Sequence, residues 1–231
     1  MSEYELYSYW RSSLSYRVRI ALNFKGLEFE THPVHLMENG GMQNAPEYKS
    51  INPMASVPAL KIGDRIFTQS CAILEYLEEK YAVPALLPTD IDRRAFIRQI
   101  MNVVSCDIHP MQNIRTLLAL TGEFGLTQNQ KNEWCKKWFD MGLESLETMV
   151  IQSGYYHDTS PYLTGEDITY AEVCLVPMLY SARRLDIDLS PYPVLRKVEH
   201  NCLLDEAFIN AAPDKQPDAP EDQRPGFAKD Y

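Results

Sequence analysis

The stretch YELYSYWRSSLSYRVRIAL, Tyr4–Leu22, reads as two elements in immediate succession. Tyr4 to Trp10 is rich in aromatics and bounded by polar residues, a composition that suits a strand. The serines that follow are good helix N-caps. From Val18 the apolar residues Val18, Ile20, Ala21, Leu22 and Phe24 fit a helix packed over much of its surface, and Gly26 after Lys25 signals its end. A strand that feeds directly into a helix leaves the first helical N–H groups unpaired at the edge of the sheet, where an anion is welcome. Serine hydroxyls at that point add further donors.

Working outward, Leu27 to Leu36 reads as a second strand. Asn52 to Ile62 and Arg65 to Thr68 read as two short strands around a Gly63-Asp64 turn, followed by a helix from Ser70 to Tyr81. Strand, helix, strand, connection, hairpin and helix make a small α/β domain, assigned to residues 1–84. Val83 to Pro88 reads as a linker. Beyond it strand signals vanish, and helical patterns near Asp92–Leu120, Thr127–Gln152, Thr169–Leu185 and Val194–Ala211 predict an all-helical domain over 89–212. Thr169 with Glu172 three residues later is a capping box, read as structural. The stretch 213–231, rich in Pro and charge, is expected to be a weakly ordered tail.

The composition excludes several classes of partner. A chain of 231 residues with 45% hydrophobic and 23% charged residues can bury a sizeable core. The net charge of −10 works against binding a polyanion, and no Lys/Arg run offsets it. No stretch approaches the roughly 18 apolar residues of a membrane span, and MSEYELYSYW has neither the basic nor the apolar part of a signal peptide. A cytosolic protein without nucleic-acid or membrane partners is expected. The five cysteines are odd in number and form no C-x-x-C pair, so they read as reduced thiols. His32 and His35 on a strand would point to opposite faces with nothing to complete a metal site, and no metal is expected. Phosphate-binding glycine loops are absent from the sequence.

An α/β domain of this order followed by an all-helical one resembles the soluble glutathione transferases, whose first domain is thioredoxin-like and whose second is a helical bundle. RSSLSYRVRIAL, Arg11–Leu22, resembles the S-S-C-x-[WH]-R-V-R-I-A-L signature of the zeta class, which includes the maleylacetoacetate isomerases. NPMASVPAL (Asn52–Leu60), QSCAILEYLEEKY (Gln69–Tyr81), CDIHPMQN (Cys106–Asn113), LVPMLYSARRLDIDLSPYP (Leu175–Pro193) and QPDAP (Gln216–Pro220) are similar to zeta-class segments in the same order. Two departures stand out: Leu14 occupies the signature's cysteine position, and the loop from Gln152 to Thr169 is longer than usual.

The resemblance implies glutathione as cofactor, a small dicarboxylate as substrate, a homodimer, and cis–trans isomerisation of maleylacetoacetate to fumarylacetoacetate. Maleylpyruvate isomerisation and glutathione transfer to small α-halo acids are the alternatives. Ser12 and Ser13 are the candidates for stabilising the glutathione thiolate, although Ser12 could equally be a plain N-cap. Val57, before a Pro58 that the family implies is cis, would pair with the cysteinyl backbone of glutathione. Gln69 and Ser70 would hold its γ-glutamyl end, with a simple cap at Ser70 the competing reading. Gln43 and Asn113 match further glutathione-contacting positions. His109 precedes Pro110, which should kink the helix, and it matches a histidine near substrate in bacterial relatives. Arg11, Arg115 and Arg184 match basic positions that handle substrate carboxylates, with Arg183 competing with Arg184.

Overall fold

Strand β1, Tyr4–Ser8, lies inside a four-stranded sheet of order β2-β1-β3-β4, formed with β2 (Phe29–Pro33), β3 (Ala59–Ile62) and β4 (Arg65–Thr68). β1 runs parallel to β2 and antiparallel to β3, and β3 and β4 form the expected hairpin, with Gly63 at φ 56° in its turn. The computed structural model describes residues 3–223. These fall into two units, one holding the described residues up to Ala85 together with those from Leu203 onward, the other Leu86–Cys202.

In the first unit helix α1, Ser13–Phe24, packs along both α3 (Ser70–Lys80) and α10 (Glu206–Ala211). Nine of its twelve residues are buried, so it has almost no solvent face and even Arg17 and Arg19 lie inside. Leu6 and Leu60 of the sheet, Ile20 and Leu22 of α1, and Ile73, Leu74 and Leu77 of α3 are all fully buried. A short helix α2, Pro46–Ile51, occupies the connection where no element was expected. The strand expected from Asn52 begins only at Ala59. Asn52 and Tyr48 divert the chain, because Asn52 Nδ2 (2.6 Å) and the Tyr48 hydroxyl (2.8 Å) both donate to Ser56 O, and Asn52 Oδ1 accepts from Met54 N.

The C-terminal stretch corrects the expected division. Residues 203–212 leave the helical unit for the first one, since Asp205 caps α10 and α10 docks on α1. Tyr16 Oη donates to Phe208 O (3.3 Å), Asn23 Nδ2 to Ala207 O (3.2 Å) and Arg19 Nε to Ala211 O (2.9 Å). Within the stretch expected to be a weakly ordered tail, Pro213, Gln216 and Ala219 are buried. Residues 224–231 of that tail lie outside the described residues. The linker is likewise anchored: Lys25 Nζ, fully withdrawn from solvent, bonds Glu78 Oε2, Tyr81 O and Pro84 O at 2.6–2.9 Å.

In the second unit the expected helix 92–120 is divided. It becomes α4 (Ile91–Asn102), a π-helical stretch Val103–Ile108, α5 (His109–Gln112) and α6 (Ile114–Gly122). Pro110 has no N–H, and the wider π turn absorbs the mismatch, with His109 N reaching back five residues to Val104 O. Side chains meet carbonyls beyond it: Thr116 Oγ1 donates to Pro110 O (2.7 Å) and Trp134 Nε1 to Met111 O (2.8 Å).

Helix α7, Gln128–Gln152, starts on a Thr127–Gln130 capping box. The expected Thr169–Glu172 box opens α8, Tyr170–Arg184, and the Glu172 carboxylate also accepts from Leu163 N (2.8 Å). Glu147 of α7 caps α9 (Pro193–Cys202) by accepting from Val194 N and Leu195 N at 2.8 and 3.0 Å. The long loop after Gln152 is tied to α9 through Lys197 Nζ on Asp158 O and Ser160 O, and Asn201 Nδ2 on Pro161 O.

The π stretch is pressed against α7 where Gly142 leaves room: a Cβ there would collide with Ile108 Cγ1. Gly142→Ala should therefore destabilise the protein by about 1–3 kcal/mol despite alanine's better helix propensity. Ile108→Ala, which removes the opposing atoms, should make the added methyl nearly neutral. A double-mutant cycle in denaturant measures this, and purely additive effects would refute it.

Candidate active site

The sheet register gathers four loops at one end of the strands. His32 of β2, Tyr7 of β1, Ala59 of β3 and Thr68 of β4 form one cross-strand row. The chain therefore leaves β1 towards Ser12, enters β3 from Val57, leaves β4 at Gln69 and leaves β2 towards Gln43, all from the same end of the sheet. Tyr9, Trp10, Val34, Tyr48 and Val57 pack into one apolar cluster beneath these loops, joined by Ala219.

Ser12 is the N-cap of α1, and its Oγ accepts from Ser15 N at 3.2 Å. A hydroxyl that accepts still has its own proton to donate, so capping leaves Ser12 able to serve a thiolate. Ser13 is the first helical residue, 6% exposed, and its side chain makes no hydrogen bond among the described residues. Leu14, half-buried in the first turn, stands next to it. Arg11 is half-buried with its guanidinium 5.6 Å from the Tyr9 ring centre and 5.8 Å from that of Trp10, a cation–π arrangement that fixes its stem.

The Val57–Pro58 peptide is cis, as the resemblance implied, and the Val57 main chain makes no hydrogen bond among the described residues. At the third loop the structure corrects the reading of Ser70 as a cap. Gln69 takes the N-cap position of α3, and no side chain caps the helix. Ser70 is the first helical residue, buried at 4%. Gln69 has φ 68°, a left-handed conformation that strains a side chain of its size. Gln43 sits in a short 3-10 turn and donates through Nε2 to Leu36 O (3.3 Å), while its Oε1 has no partner among the described residues.

An uncapped start of α3, two buried serines, Ser13 and Ser70, and an unused strand-like segment at Val57 thus lie at one end of the sheet.

The second unit carries the other candidates. His109 is 9% exposed and directly follows the π stretch. Asn113 caps α6 by accepting from Arg115 N at 3.0 Å, so its role is partly structural. Arg115 and Arg184 are exposed. Of the two neighbouring arginines, Arg183 directs both Nη atoms onto the carboxylate of Glu199, which is buried at 1%. Burial pushes the Glu199 carboxyl up and the Arg183 guanidinium opposes it. Among the described residues no group of His, Cys, Asp and Glu is arranged to hold a metal ion. His32 instead faces Glu5 and Glu30, and His35 Nδ1 accepts from Glu38 N. Sequence reasoning missed Tyr48 and Asn52, which set the Ser56 carbonyl just before Val57. The N-P that opens the loop was their only signal.

A sheet with these loops at one edge is the thioredoxin-like glutathione-binding domain of a glutathione transferase, and residues 11–80 match the family model for the glutathione S-transferase N-terminal domain. A probable maleylacetoacetate isomerase of Vibrio cholerae is 41% identical over 93% of this chain and 97% of its own length. A holo structure of a maleylpyruvate isomerase, described as a bacterial zeta-class glutathione transferase, superposes with TM-score 0.89 at 41% identity, covering 94% of this chain and 100% of that one. A maleylacetoacetate isomerase from Methylobacterium extorquens, solved with bound malonate and glutathione, gives TM-score 0.87 at 35% identity over 94% of this chain and 99% of that one. The chain belongs to the zeta class of glutathione transferases, the family of the maleylacetoacetate isomerases.

The backbone at residue 69 permits a sharp test. Gln69→Gly should be more stable than Gln69→Ala by about 1 kcal/mol, the reverse of the usual order, because only glycine relieves the positive φ. Both should raise the KM for glutathione several-fold. Equal stability of the two variants in thermal unfolding would show that the φ carries no strain.

Proposed function

We propose that this protein is a glutathione-dependent cis–trans isomerase that converts maleylacetoacetate to fumarylacetoacetate in tyrosine and phenylalanine breakdown, acting as a cytoplasmic homodimer. The observation that carries the reading is the placement of Ser12 and Ser13 at the start of α1, on the same sheet edge as Val57 and Gln69-Ser70. Bound glutathione would supply a thiolate that adds reversibly to the conjugated double bond and so frees it to rotate.

The chain's own residues do the rest. A free thiol of pKa about 8.5 needs roughly 2.7 kcal/mol of differential stabilisation to become mostly thiolate at neutral pH. Hydroxyl donors at Ser12 and Ser13, aided by the positive end of α1, are of that magnitude. Val57 and Gln69-Ser70 orient the tripeptide so that the sulfur lies at the serines. Gln43 and Asn113 add contacts to glutathione, while Arg11, Arg115 and Arg184, with His109, bind the substrate, the arginines taking its carboxylates and offsetting negative charge as it develops. In a chain of net charge −10, such local guanidinium groups are needed to hold a dianion.

Maleylpyruvate isomerisation is the second reading, favoured by the likeness to the maleylpyruvate isomerase structure. Purified protein assayed on both substrates separates the two. Turnover should require added glutathione, and undiminished turnover in thiol-free buffer would exclude the mechanism.

The serines should differ in a measurable way. Ser12→Ala removes the cap on Ser15 N as well as a thiolate donor, so it should lower stability by about 1 kcal/mol; Ser13→Ala should affect stability less. Each should slow turnover by about 1–3 kcal/mol of barrier and raise the thiol pKa of bound glutathione. An unchanged thiol pKa in both variants would remove the serines from the mechanism.

Among the arginines, Arg184→Ala should raise the KM for substrate more than that for glutathione, and lysine should replace it poorly. Arg183→Ala should instead lower the melting temperature, since it strands a buried Glu199. Steady-state kinetics with thermal melts distinguishes the two, and a loss of stability in Arg184→Ala with equal effects on both KM values would mark it as structural.

A further inference from the structure

The Tyr9–Trp10 segment that delivers Ser12 and Ser13 is held from outside by residues of the C-terminal stretch and of α1. Trp10 N donates to Asp218 Oδ2 at 2.9 Å. Trp10 O accepts from Arg19 Nη2 at 2.9 Å, and Tyr9 O accepts from Arg19 Nη1 at 3.5 Å and from Ser12 N at 2.9 Å. The same guanidinium, wholly withdrawn from solvent, also reaches Ser8 Oγ (3.1 Å) and, through Nε, Ala211 O (2.9 Å).

Asp218 is itself presented by a closed turn. Ala219 N donates to Gln216 O (3.1 Å), and the buried Gln216 donates to Asn210 O and Ala212 O at 3.2 and 2.9 Å. Ala219 packs with Tyr9, Trp10 and Val57, so the turn lies against two of the loops at the sheet edge.

We propose that Asp218, acting with Arg19 through the main chain of Trp10, is a positioning residue of the glutathione site that sets the orientation of the Ser12 and Ser13 hydroxyls. The assignment rests on the reading of those serines as thiolate donors. The physical argument is one of accumulated constraint. N-cap geometry at Ser12, φ −68° and ψ 117°, is held from the helix side by the bond from Ser15 N and from the other side by the preceding peptides. With Trp10 braced at N–H and C=O alike, and Tyr9 O closing the turn onto Ser12 N, the peptides before Ser12 have little rotational freedom left. Removing Asp218 frees one of these groups without touching any atom that would contact glutathione or substrate. A hydroxyl displaced by a fraction of an ångström loses much of its bond to an anionic sulfur.

The test compares Asp218→Ala and Asp218→Asn in the full chain. The pH dependence of kcat/KM for the isomerised substrate at saturating glutathione and the thiolate absorbance of the bound cofactor are recorded beside melting curves. Asp218→Ala should leave about tenfold less thiolate below the thiol pKa, a displacement of roughly one pH unit, with the substrate KM little changed. Asp218→Asn, which keeps an acceptor oxygen for Trp10 N, should recover most of the loss. A lower melting temperature with an unaltered pH profile in Asp218→Ala would reduce the turn to a structural strap and overturn the proposal.

Ser12→Ala and Ser13→Ala run in parallel separate the two levels of the argument. If neither serine variant displaces the profile, the serine reading fails; if they do and Asp218→Ala does not, this proposal alone fails. Should Asp218→Ala not fold, amide hydrogen exchange of the unaltered protein still decides. Trp10 N–H must be protected well beyond an exposed loop amide, and loop-like exchange there would overturn the bracing.

Discussion

A guanidinium that never meets water has to find its hydrogen bonds inside, and Arg19 does so by reaching from the middle of α1 to Ser8, Tyr9, Trp10 and Ala211. Dehydrating a cation costs several kcal/mol even after relaxation, so these acceptors cannot drift without exposing the penalty. That single constraint couples the end of β1, the turn into α1 and the end of α10. The serines at the start of α1 inherit their placement from it, and α10 acquires its seat on α1 from the same group together with Tyr16 and Asn23.

Much of the first unit was legible because its signals are local. The aromatic-rich Tyr4–Trp10 run, the serines after it, Gly26 and the Gly63-Asp64 turn each mark an element boundary through backbone chemistry that the sequence carries in place. The exceptions are instructive. Asn52 to Ile62 reads as one strand, yet the Asn52 amide and Tyr48 hydroxyl claim the Ser56 carbonyl and keep the chain out of the ladder until Ala59. Helix 92–120 has unbroken helical periodicity, and Pro110 announced a disturbance there. A kink was the expected outcome, but the π turn depends on Gly142 of α7 giving Ile108 space, information that lies more than thirty positions further along the chain.

The candidate residues were read from the chain through the family resemblance, while the partners that decide between rival roles were hidden. Ser12 and Ser70 looked alike as N-cap candidates, yet one caps and the other sits inside the helix behind a strained Gln69. Arg183 and Arg184 are adjacent in sequence, and nothing beside them in the chain reveals that Arg183 meets the buried Glu199. The misreading of Pro213 to Gln223 has a similar origin. Proline and charge usually signal an open chain, but here prolines stiffen a turn and an aspartate finds a main-chain N–H some two hundred positions upstream. Composition carries no record of such a distant partner.

That distance bears on how the protein is made. The first unit is assembled from both ends of the chain, with side chains of α1 bonded to carbonyls 192 positions away, whereas Leu86–Cys202 packs largely on itself. During synthesis the helical unit is complete before Phe208, Ala211 and Asp218 have been translated. Emerging domains ordinarily fold in order from the N-terminus. Here the sheet and α1 are made first yet must wait, with the surface for α10 uncovered and Arg19 Nε lacking its Ala211 acceptor, until residues 203–219 have been added. A nascent chain in that interval exposes apolar surface of the kind chaperones bind, and contacts of such long range slow its closure further.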